Sequence, residues 1–144
     1  MVVAPVTVVG VGIDLVDLER VRKLLADKGE QAMHRFFSEE ERRYLGTRTE
    51  PTGHAAARIA AKEAVYKALQ SLPGARGVGW REIEISRDGD GRPAIRLHGP
   101  AARLAQASGG LEIRISLTHS ALSAGAVAII STQERTLSIP TRTL

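Results

Sequence analysis

Residues 54–70 read HAAARIAAKEAVYKALQ, and this stretch decides the fold. It is rich in alanine and contains no glycine or proline, so it predicts a long helix. The alanines keep this helix slim, which lets one face be buried while an edge presents a carboxylate and several cations. Arg58 and Lys62 are neighbours on the helix surface, as are Glu63 and Lys67, because the members of each pair are four residues apart.

Strands are predicted on both sides of the helix. Residues 2–13 are rich in β-branched side chains and contain Gly10 and Gly12, which is typical of a buried strand that ends near a turn. Residues 82–86 and 94–98 are predicted strands, which the DGDG turn at 88–91 joins as a hairpin. Residues 112–118 are predicted to form a strand with one apolar face. Residues 122–130 are predicted to form a strand that is apolar enough to be covered on both sides.

Shorter helices are predicted between these segments. They cover residues 16–28 with Gly29 as a stop, residues 38–45 with a capping box at Ser38, and residues 100–107, while residues 49–53 and 72–79 are predicted loops. The chain is therefore predicted to be an α+β (mixed α/β) protein with a single domain at residues 1–131. Its expected core is a small, antiparallel-rich sheet packed with one long and several short helices. Residues 132–144 are predicted to form a loose C-terminal tail.

Composition narrows the function classes. The 144 residues include no cysteine, which excludes thiolate nucleophiles, zinc ribbons, iron–sulfur clusters and disulfides. No apolar run is long enough to span a membrane, and the N-terminus has no basic region typical of a signal peptide. We therefore expect a soluble, cytoplasmic protein.

Charge points to an anionic partner. The net charge is +4 and the sequence pI is about 10.0. A basic domain of this kind attracts nucleic acid, phosphorylated ligands or an acidic protein, although a basic surface without any anionic partner is an alternative. Aromatic residues make up only 3% of the chain, which argues against a surface for stacking nucleic-acid bases.

Several common signatures are absent. Gly10 and Gly12 begin like a dinucleotide-binding fingerprint, but Leu15 stands where the third glycine is needed. The chain contains no Walker A sequence and no nucleophile elbow, and its histidines are too far apart in sequence for a local zinc pair. The usual hydride-transfer, kinase and hydrolase signatures are thus excluded.

Three segments of the chain remain as candidates for chemistry. Asp14 follows the first predicted strand beside glycines and suits a hard metal ion, but it also suits the N-cap of the next helix. Glu63 and Lys67 present charges on one edge of the long helix, where an ordinary solvated pair is the alternative. His119 ends the predicted strand ISLTH, either as a ligand-binding group or as a capped edge histidine. The residues by themselves leave these alternatives open.

Taken together, these segments resemble the holo-acyl-carrier-protein synthases, which are small 4′-phosphopantetheinyl transferases. The resemblance spans roughly residues 8–131 and is carried, in order, by GVGIDL at 10–15, RIAAKEAVYKA at 58–68, EIEI at 82–85, GRP at 91–93 and SLTHS at 116–120. It implies transfer of the phosphopantetheine arm of coenzyme A to a serine hydroxyl of apo acyl carrier protein, in support of fatty-acid or polyketide biosynthesis. Adenosine 3′,5′-bisphosphate is the implied second product.

The resemblance also implies the catalytic residues. Asp14 and Glu63 match the magnesium ligands of the family, and Lys67 matches the lysine beside the pyrophosphate. Magnesium prefers oxygen ligands and keeps several waters, so two carboxylates and the diphosphate suit it. Either Glu63 or a metal-bound water would accept the serine proton.

The same resemblance implies the binding surfaces. Arg58, Lys62, Lys67 and His119 match positions that line the coenzyme A site, and Pro93 falls in a segment near the adenine. Arg20, Arg22 and Lys23 lie on the first predicted helix, where the family docks the acidic helix of acyl carrier protein. Family members are homotrimers whose active sites are shared between subunits, with no nucleic-acid or membrane partner.

The sequence departs from the family at four places. About nine residues precede Gly10, more residues follow Ser131 than is usual, and QSLP at residues 70–73 delays the expected glycine to Gly74. Ile59 also stands where phenylalanine is frequent. The alternative from a different functional class is a non-catalytic basic module that binds RNA or an acidic protein.

Overall fold

The computed structural model describes residues 5–133. The strands are β1 (Val6–Asp17), β2 (Ile83–Arg87), β3 (Pro93–Leu97), β4 (Glu112–His119) and β5 (Ser123–Gln133). The helices are α1 (Leu18–Phe36), α2 (Glu39–Gly46), α3 (Pro51–Leu69) and α4 (Gly99–Ala107), with 3-10 turns at Ala75–Gly77 and Trp80–Glu82. The predicted α+β class is confirmed.

The strands form two antiparallel sheets. The larger sheet has three strands in the order β1-β5-β4, so β5 is central, and the smaller is the β2–β3 hairpin. Asp14 pairs with Ala126, and His119 pairs with Ala124 from the other side of β5. The predicted hairpin and the predicted strand at residues 122–130 are confirmed, although Ile129 on β5 remains 41% exposed.

Helix α3 packs directly on β1 and β5, and this contact places the candidate site. A Cβ at Gly12 would lie 1.8 Å from the carbonyl oxygen of Ala64, and one at Gly10 would lie 2.1 Å from that of Ala68. Only glycine allows so close an approach. The buried face of α3 is built mainly from alanines, which confirms the slim helix predicted from residues 54–70.

Strand β1 differs from the buried strand predicted at residues 2–13. Its glycines face α3, whereas Val11, Ile13 and Leu15 on the opposite face are 62, 70 and 72% exposed. Successive side chains of a strand point to opposite faces, so covering one face with α3 leaves the other open. The strand also continues to Asp17, which is the N-cap residue of α1, so the alternative of Asp14 as that cap is wrong.

The helix boundaries follow the sequence signals except beyond Gly29, where α1 continues to Phe36 instead of ending as predicted. Gly29 interrupts α1 with a left-handed φ of 38°, and Ser38 and Glu41 form the predicted capping box of α2. Helix α3 begins at Pro51, inside the predicted loop 49–53, because proline is favoured in the first turn. Of the predicted tail, Thr132 and Gln133 belong to β5, and residues 134–144 lie outside the described part of the chain.

Within residues 5–133, no helix combines the length and the apolar character needed to cross a bilayer.

Candidate functional site

Asp14 and Glu63 line the same cavity, which we call the carboxylate cavity. It measures about 580 Å³ and lies between β1, α1 and α3. Asp14 comes from the paired part of β1, and Glu63 comes from the middle of α3, so the rigid contact between strand and helix sets their relative position. The structure therefore brings together the two carboxylates that the sequence singled out.

Lys67 joins these carboxylates one turn further along α3. Its Nζ donates to Asp14 Oδ1 at 3.0 Å and to the carbonyl oxygen of Ile13 at 3.0 Å. The Asp14 side chain is 18% exposed and that of Lys67 is 51% exposed, so the ion pair remains open to the cavity. This arrangement places a cation and two carboxylates on one wall, with Arg20 of α1 also lining the cavity.

The environment of Glu63 raises the pKa of its carboxyl group. Burial raises the pKa of Glu63, the charge of Asp14 raises it further, and Lys67 acts in the opposite direction. A carboxyl whose ionisation is opposed by a second carboxylate is suited either to holding a proton or to sharing a cation with its neighbour.

Trp80 is a site residue that the sequence interpretation did not single out. It lines the carboxylate cavity and also a second cavity of about 280 Å³, which we call the Trp80 cavity and which Glu63 borders as well. The indole packs edge-on against Phe36 with ring centroids 5.2 Å apart. Trp80 is the single tryptophan of the chain and follows the glycine-rich loop 72–79, and this was the only signal for its role.

Lys62 lies in a different setting from its neighbours Glu63 and Lys67. Its side chain is completely buried, and its Nζ lies 2.5 Å from Oε1 of the equally buried Glu41 on α2. Burial lowers the pKa of Lys62, while the charge and hydrogen bond of Glu41 oppose that effect. Lys62 nevertheless forms part of the wall of the Trp80 cavity. The sequence indicated only a capping role for Glu41.

Arg58 belongs to a separate group of cations around Tyr44, which we call the arginine cluster. The guanidinium groups of Arg58, Arg48 and Arg87 lie 4.0, 4.5 and 5.6 Å from the Tyr44 ring centroid. Arg58 is only 6% exposed, and its Nε has no hydrogen-bond partner within residues 5–133. Burial and the nearby arginine charges lower the pKa of His54, which belongs to the same group. This cluster is suited to an anion.

The remaining predicted residues lie at the surface. His119 at the end of β4 is exposed and shares a cavity of about 350 Å³ with His54 and Arg22. Pro93 is exposed at the start of β3. Arg22 and Lys23 are exposed on α1, and Arg22 pairs with Glu19.

In this single chain the predicted residues thus fall into distinct regions. Asp14, Glu63, Lys67 and Arg20 share the carboxylate cavity, whereas Arg58 and His119 line other cavities. Within the described residues, no group of three or more His, Cys, Asp or Glu side chains is arranged to hold a metal ion. Any metal site here would therefore rest on the two carboxylates and on ligands from a substrate.

Known proteins that are similar to this chain are 4′-phosphopantetheinyl transferases and holo-[acyl-carrier-protein] synthases. The family model described as ACPS, the 4′-phosphopantetheinyl transferase superfamily, matches residues 10–128. A holo-[acyl-carrier-protein] synthase from Treponema denticola is 40% identical over 124 residues, covering 85% of this chain and 98% of that protein. Another holo-[acyl-carrier-protein] synthase, from Syntrophus aciditrophicus, is 39% identical over 121 residues, covering 84% and 94%.

Solved structures show the same fold. The ACPS–CoA complex of Chronobacterium ammoniagenes has a TM-score of 0.73 at 35% identity, covering 87% of this chain and 98% of that one. The acyl carrier protein synthase of Mycobacterium tuberculosis has a TM-score of 0.65 at 38% identity, covering 86% and 97%. The predicted resemblance is confirmed.

Proposed function

Because the chain belongs to the 4′-phosphopantetheinyl transferase superfamily, we propose that it transfers the 4′-phosphopantetheine arm of coenzyme A to a serine hydroxyl of apo acyl carrier protein. The observation that carries the proposal is the meeting of Asp14, Glu63 and Lys67 on one wall of the carboxylate cavity. The serine oxygen forms a bond to the β-phosphorus, and the bond from that phosphorus to the bridging oxygen breaks. The products are holo carrier protein and adenosine 3′,5′-bisphosphate.

Asp14 and Glu63 are the proposed ligands of a magnesium ion. Magnesium in proteins is commonly held by one or two carboxylates together with phosphate oxygens and water, and this donor set fits that pattern. The charge of Asp14 contributes to the raised pKa of Glu63, so the two carboxylates are close enough to interact, and a divalent cation would relieve this repulsion. When bound, the ion supplies positive charge to the diphosphate and to the departing bisphosphate.

Lys67 is the proposed electrostatic partner of the diphosphate. Its ammonium lies at the open wall of the cavity, held by Asp14 and by the carbonyl oxygen of Ile13. From there it can donate to a phosphate oxygen and stabilise the negative charge that develops on the leaving group. The pKa of Glu63 is raised, which makes its carboxylate a stronger base, so Glu63 is a candidate acceptor for the serine proton.

Arg58, His119 and Pro93 are the proposed binding residues for the nucleotide part of coenzyme A. Arg58 is buried in the arginine cluster with an unpartnered Nε, which suits it to a phosphate group. These residues line surfaces apart from the carboxylate cavity of the same chain. A site completed by a second copy of the chain reconciles the two locations.

The open face of β1 supports this self-association. Val11, Ile13 and Leu15 are largely exposed on a regular strand, and contiguous apolar surfaces of this kind mark protein interfaces. We propose that a second copy covers this face and that the assembly is a homotrimer. Arg20, Arg22 and Lys23 on α1 then form the proposed docking surface for the acidic carrier.

The direct test is a mass measurement. The protein is incubated with apo acyl carrier protein, coenzyme A and magnesium, and the carrier is weighed before and after the reaction. We expect a mass gain of one phosphopantetheine arm that depends on both coenzyme A and magnesium. An unchanged mass, with a carrier that a known synthase can modify, would reject the enzyme and favour a non-catalytic basic module.

A further inference from the structure

Glu41 and Lys62 form an ion pair inside the fold, next to the residues that line the proposed site. Their Oε1 and Nζ atoms are 2.5 Å apart, and both side chains are completely buried. Glu41 comes from α2, while Lys62 comes from α3 and immediately precedes Glu63. Because water reaches neither group, each charge is balanced within the protein alone.

The hydrogen bonds of this pair connect four structural elements. Oε1 of Glu41 also accepts from the backbone N–H of Ser38 at 2.9 Å, and Oε2 accepts from that of Ile85 on β2 at 3.3 Å. The ammonium of Lys62 also donates to the carbonyl oxygen of Trp80 at 2.9 Å. The pair therefore ties α2, α3 and β2 to the 3-10 turn that carries Trp80.

The ion pair contacts or adjoins two residues that line the proposed site. Trp80 and Glu63 each line both the carboxylate cavity and the Trp80 cavity. The ammonium of Lys62 donates a hydrogen bond to the backbone of Trp80. Lys62 and Glu63 are consecutive residues of α3, so the contacts of Lys62 also fix the helical turn that carries Glu63. A displacement of Lys62 would therefore move residues that line both cavities.

We propose that Glu41 and Lys62 are positioning residues, whose ion pair holds Trp80 and the Glu63 turn of α3 in place for transfer. In this role the ammonium of Lys62 acts inside the fold and does not contact the phosphates of coenzyme A. Moving it to a phosphate would leave the Glu41 carboxylate buried without its cation, which is strongly unfavourable. The inference rests on the proposed function for its kinetic readout.

The test is a double-mutant cycle of Glu41→Gln, Lys62→Met and the two changes together. Glutamine is accepted at the third position of a capping box, so it can retain the contact with Ser38. Matched controls are Glu40→Gln and Arg81→Met, which remove exposed charges beside Glu41 and Trp80. The measurements are kcat, KM for coenzyme A, and the fluorescence of Trp80, which is the only tryptophan.

Each single change leaves one buried charge unpaired, so we expect kcat to fall at least about 10-fold, with a smaller change in KM for coenzyme A. The emission of Trp80 should shift to longer wavelength as the indole becomes hydrated. The double variant should lose no more kcat than the worse single variant, because the ion pair is removed only once, and its Trp80 emission should stay shifted since no ammonium donates to the Trp80 carbonyl oxygen. The two control variants should match the wild type.

A direct phosphate contact by Lys62 would give the opposite pattern. KM for coenzyme A would then rise at least about 10-fold in both variants that lack the ammonium, whereas Glu41→Gln, which keeps it, would retain the wild-type kcat and Trp80 emission. If the single variants do not fold, the double variant alone decides by the same criterion, and a double variant that is itself unfolded also overturns the proposal. A wild type that transfers nothing would reject the proposed function, whereas the Trp80 emission would still report whether the pair is coupled.

Discussion

Glu63 links the chemistry of the cavity to the stability of the fold. Burial raises its pKa, the charge of Asp14 raises it further, and Lys67 lowers it. A raised pKa of a folded carboxyl gives stability that is fully present below the unfolded pKa and is lost as the pH rises through the folded pKa. We therefore expect Glu63→Gln to abolish transfer and, at pH 7, to make the protein more stable than the wild type.

The measurement combines the transfer assay with denaturant unfolding at two pH values. The stability gain of Glu63→Gln should shrink near pH 4. This is about the ordinary pKa of glutamate, so the carboxyl of the unfolded wild type becomes protonated there. Glu30→Gln on the exposed side of α1 serves as the control and should show neither effect. Full activity in Glu63→Gln would remove this residue from the proposed metal site.

The sequence predicted the meeting of Asp14, Glu63 and Lys67 because family resemblance placed all three in one pattern. It did not predict the contact of Glu41 with Lys62, since a glutamate that follows Ser38 by three residues already has a local role as a cap. Trp80 was missed for a similar reason: its place beside Glu63 depends on the packing of the 72–79 loop against α3. Long-range contacts of this kind leave no periodic signal along the chain.

The contact between α3 and β1 depends on glycine, and this gives a prediction for the element as a whole. A Cβ at Gly12 would lie 1.8 Å from the carbonyl oxygen of Ala64, so Gly12→Ala must push the helix away from the strand. We expect a loss of about 1–3 kcal/mol in the free energy of unfolding, together with reduced transfer because Asp14 moves relative to Glu63. Denaturant titration and the transfer assay measure the two effects.

Gly53 in the first turn of α3 provides the matched control. A Cβ there meets no atom within 4 Å, so Gly53→Ala should leave stability unchanged or raise it by about 0.5–1 kcal/mol. Equal effects of the two substitutions would show that close approach of α3 to β1 is not what requires glycine at position 12.

Sequence composition predicted which helices and strands exist better than it predicted what packs against each of them. The alanine-rich pattern identified α3, and the alternation at residues 112–118 identified β4, because each period reflects one buried face. The exposed apolar face of β1 was not foreseen, since a β-branched run has the same composition whether one or both faces are covered. Whether that face is covered depends on what packs against the sheet, which composition does not reveal.

Helix α1 carries the proposed carrier surface, and its charges can be tested apart from the cavity. Arg22 and Lys23 are exposed, whereas Arg20 lines the carboxylate cavity and is left unchanged. Arg22 shares a cavity with the proposed binding residue His119 and is also left unchanged. We expect Lys23→Glu to raise the KM for acyl carrier protein and to spare that for coenzyme A. The wild-type KM for the carrier should also rise with salt, because exposed charges are screened.

The exposed Arg103 on α4 is the control for charge alone. Arg103→Glu changes the net charge in the same direction, so a similar rise in carrier KM would indicate a general effect of charge rather than docking on α1.

For the whole molecule, the separation of the two groups of residues supports the proposal that copies of the chain share active sites. Glu63 and Asp14 line one cavity, while Arg58 and His119 line others of the same chain. If one subunit supplies the carboxylates and its neighbour supplies the nucleotide-binding residues, each active site needs two chains. Two inactive variants with different defects should then restore activity when they assemble together.

We expect Glu63→Gln and Arg58→Ala to complement each other in mixed trimers. In a closed ring each mixed trimer has one of its three interfaces at which the intact Glu63 faces the intact Arg58, so trimers purified through both tags should regain about a third of wild-type activity. The variants are co-expressed with different affinity tags and purified through both, and separately made variants mixed without subunit exchange are the control. Activity that stays at the level of the single variants would place the complete site within one chain and remove the reason for sharing.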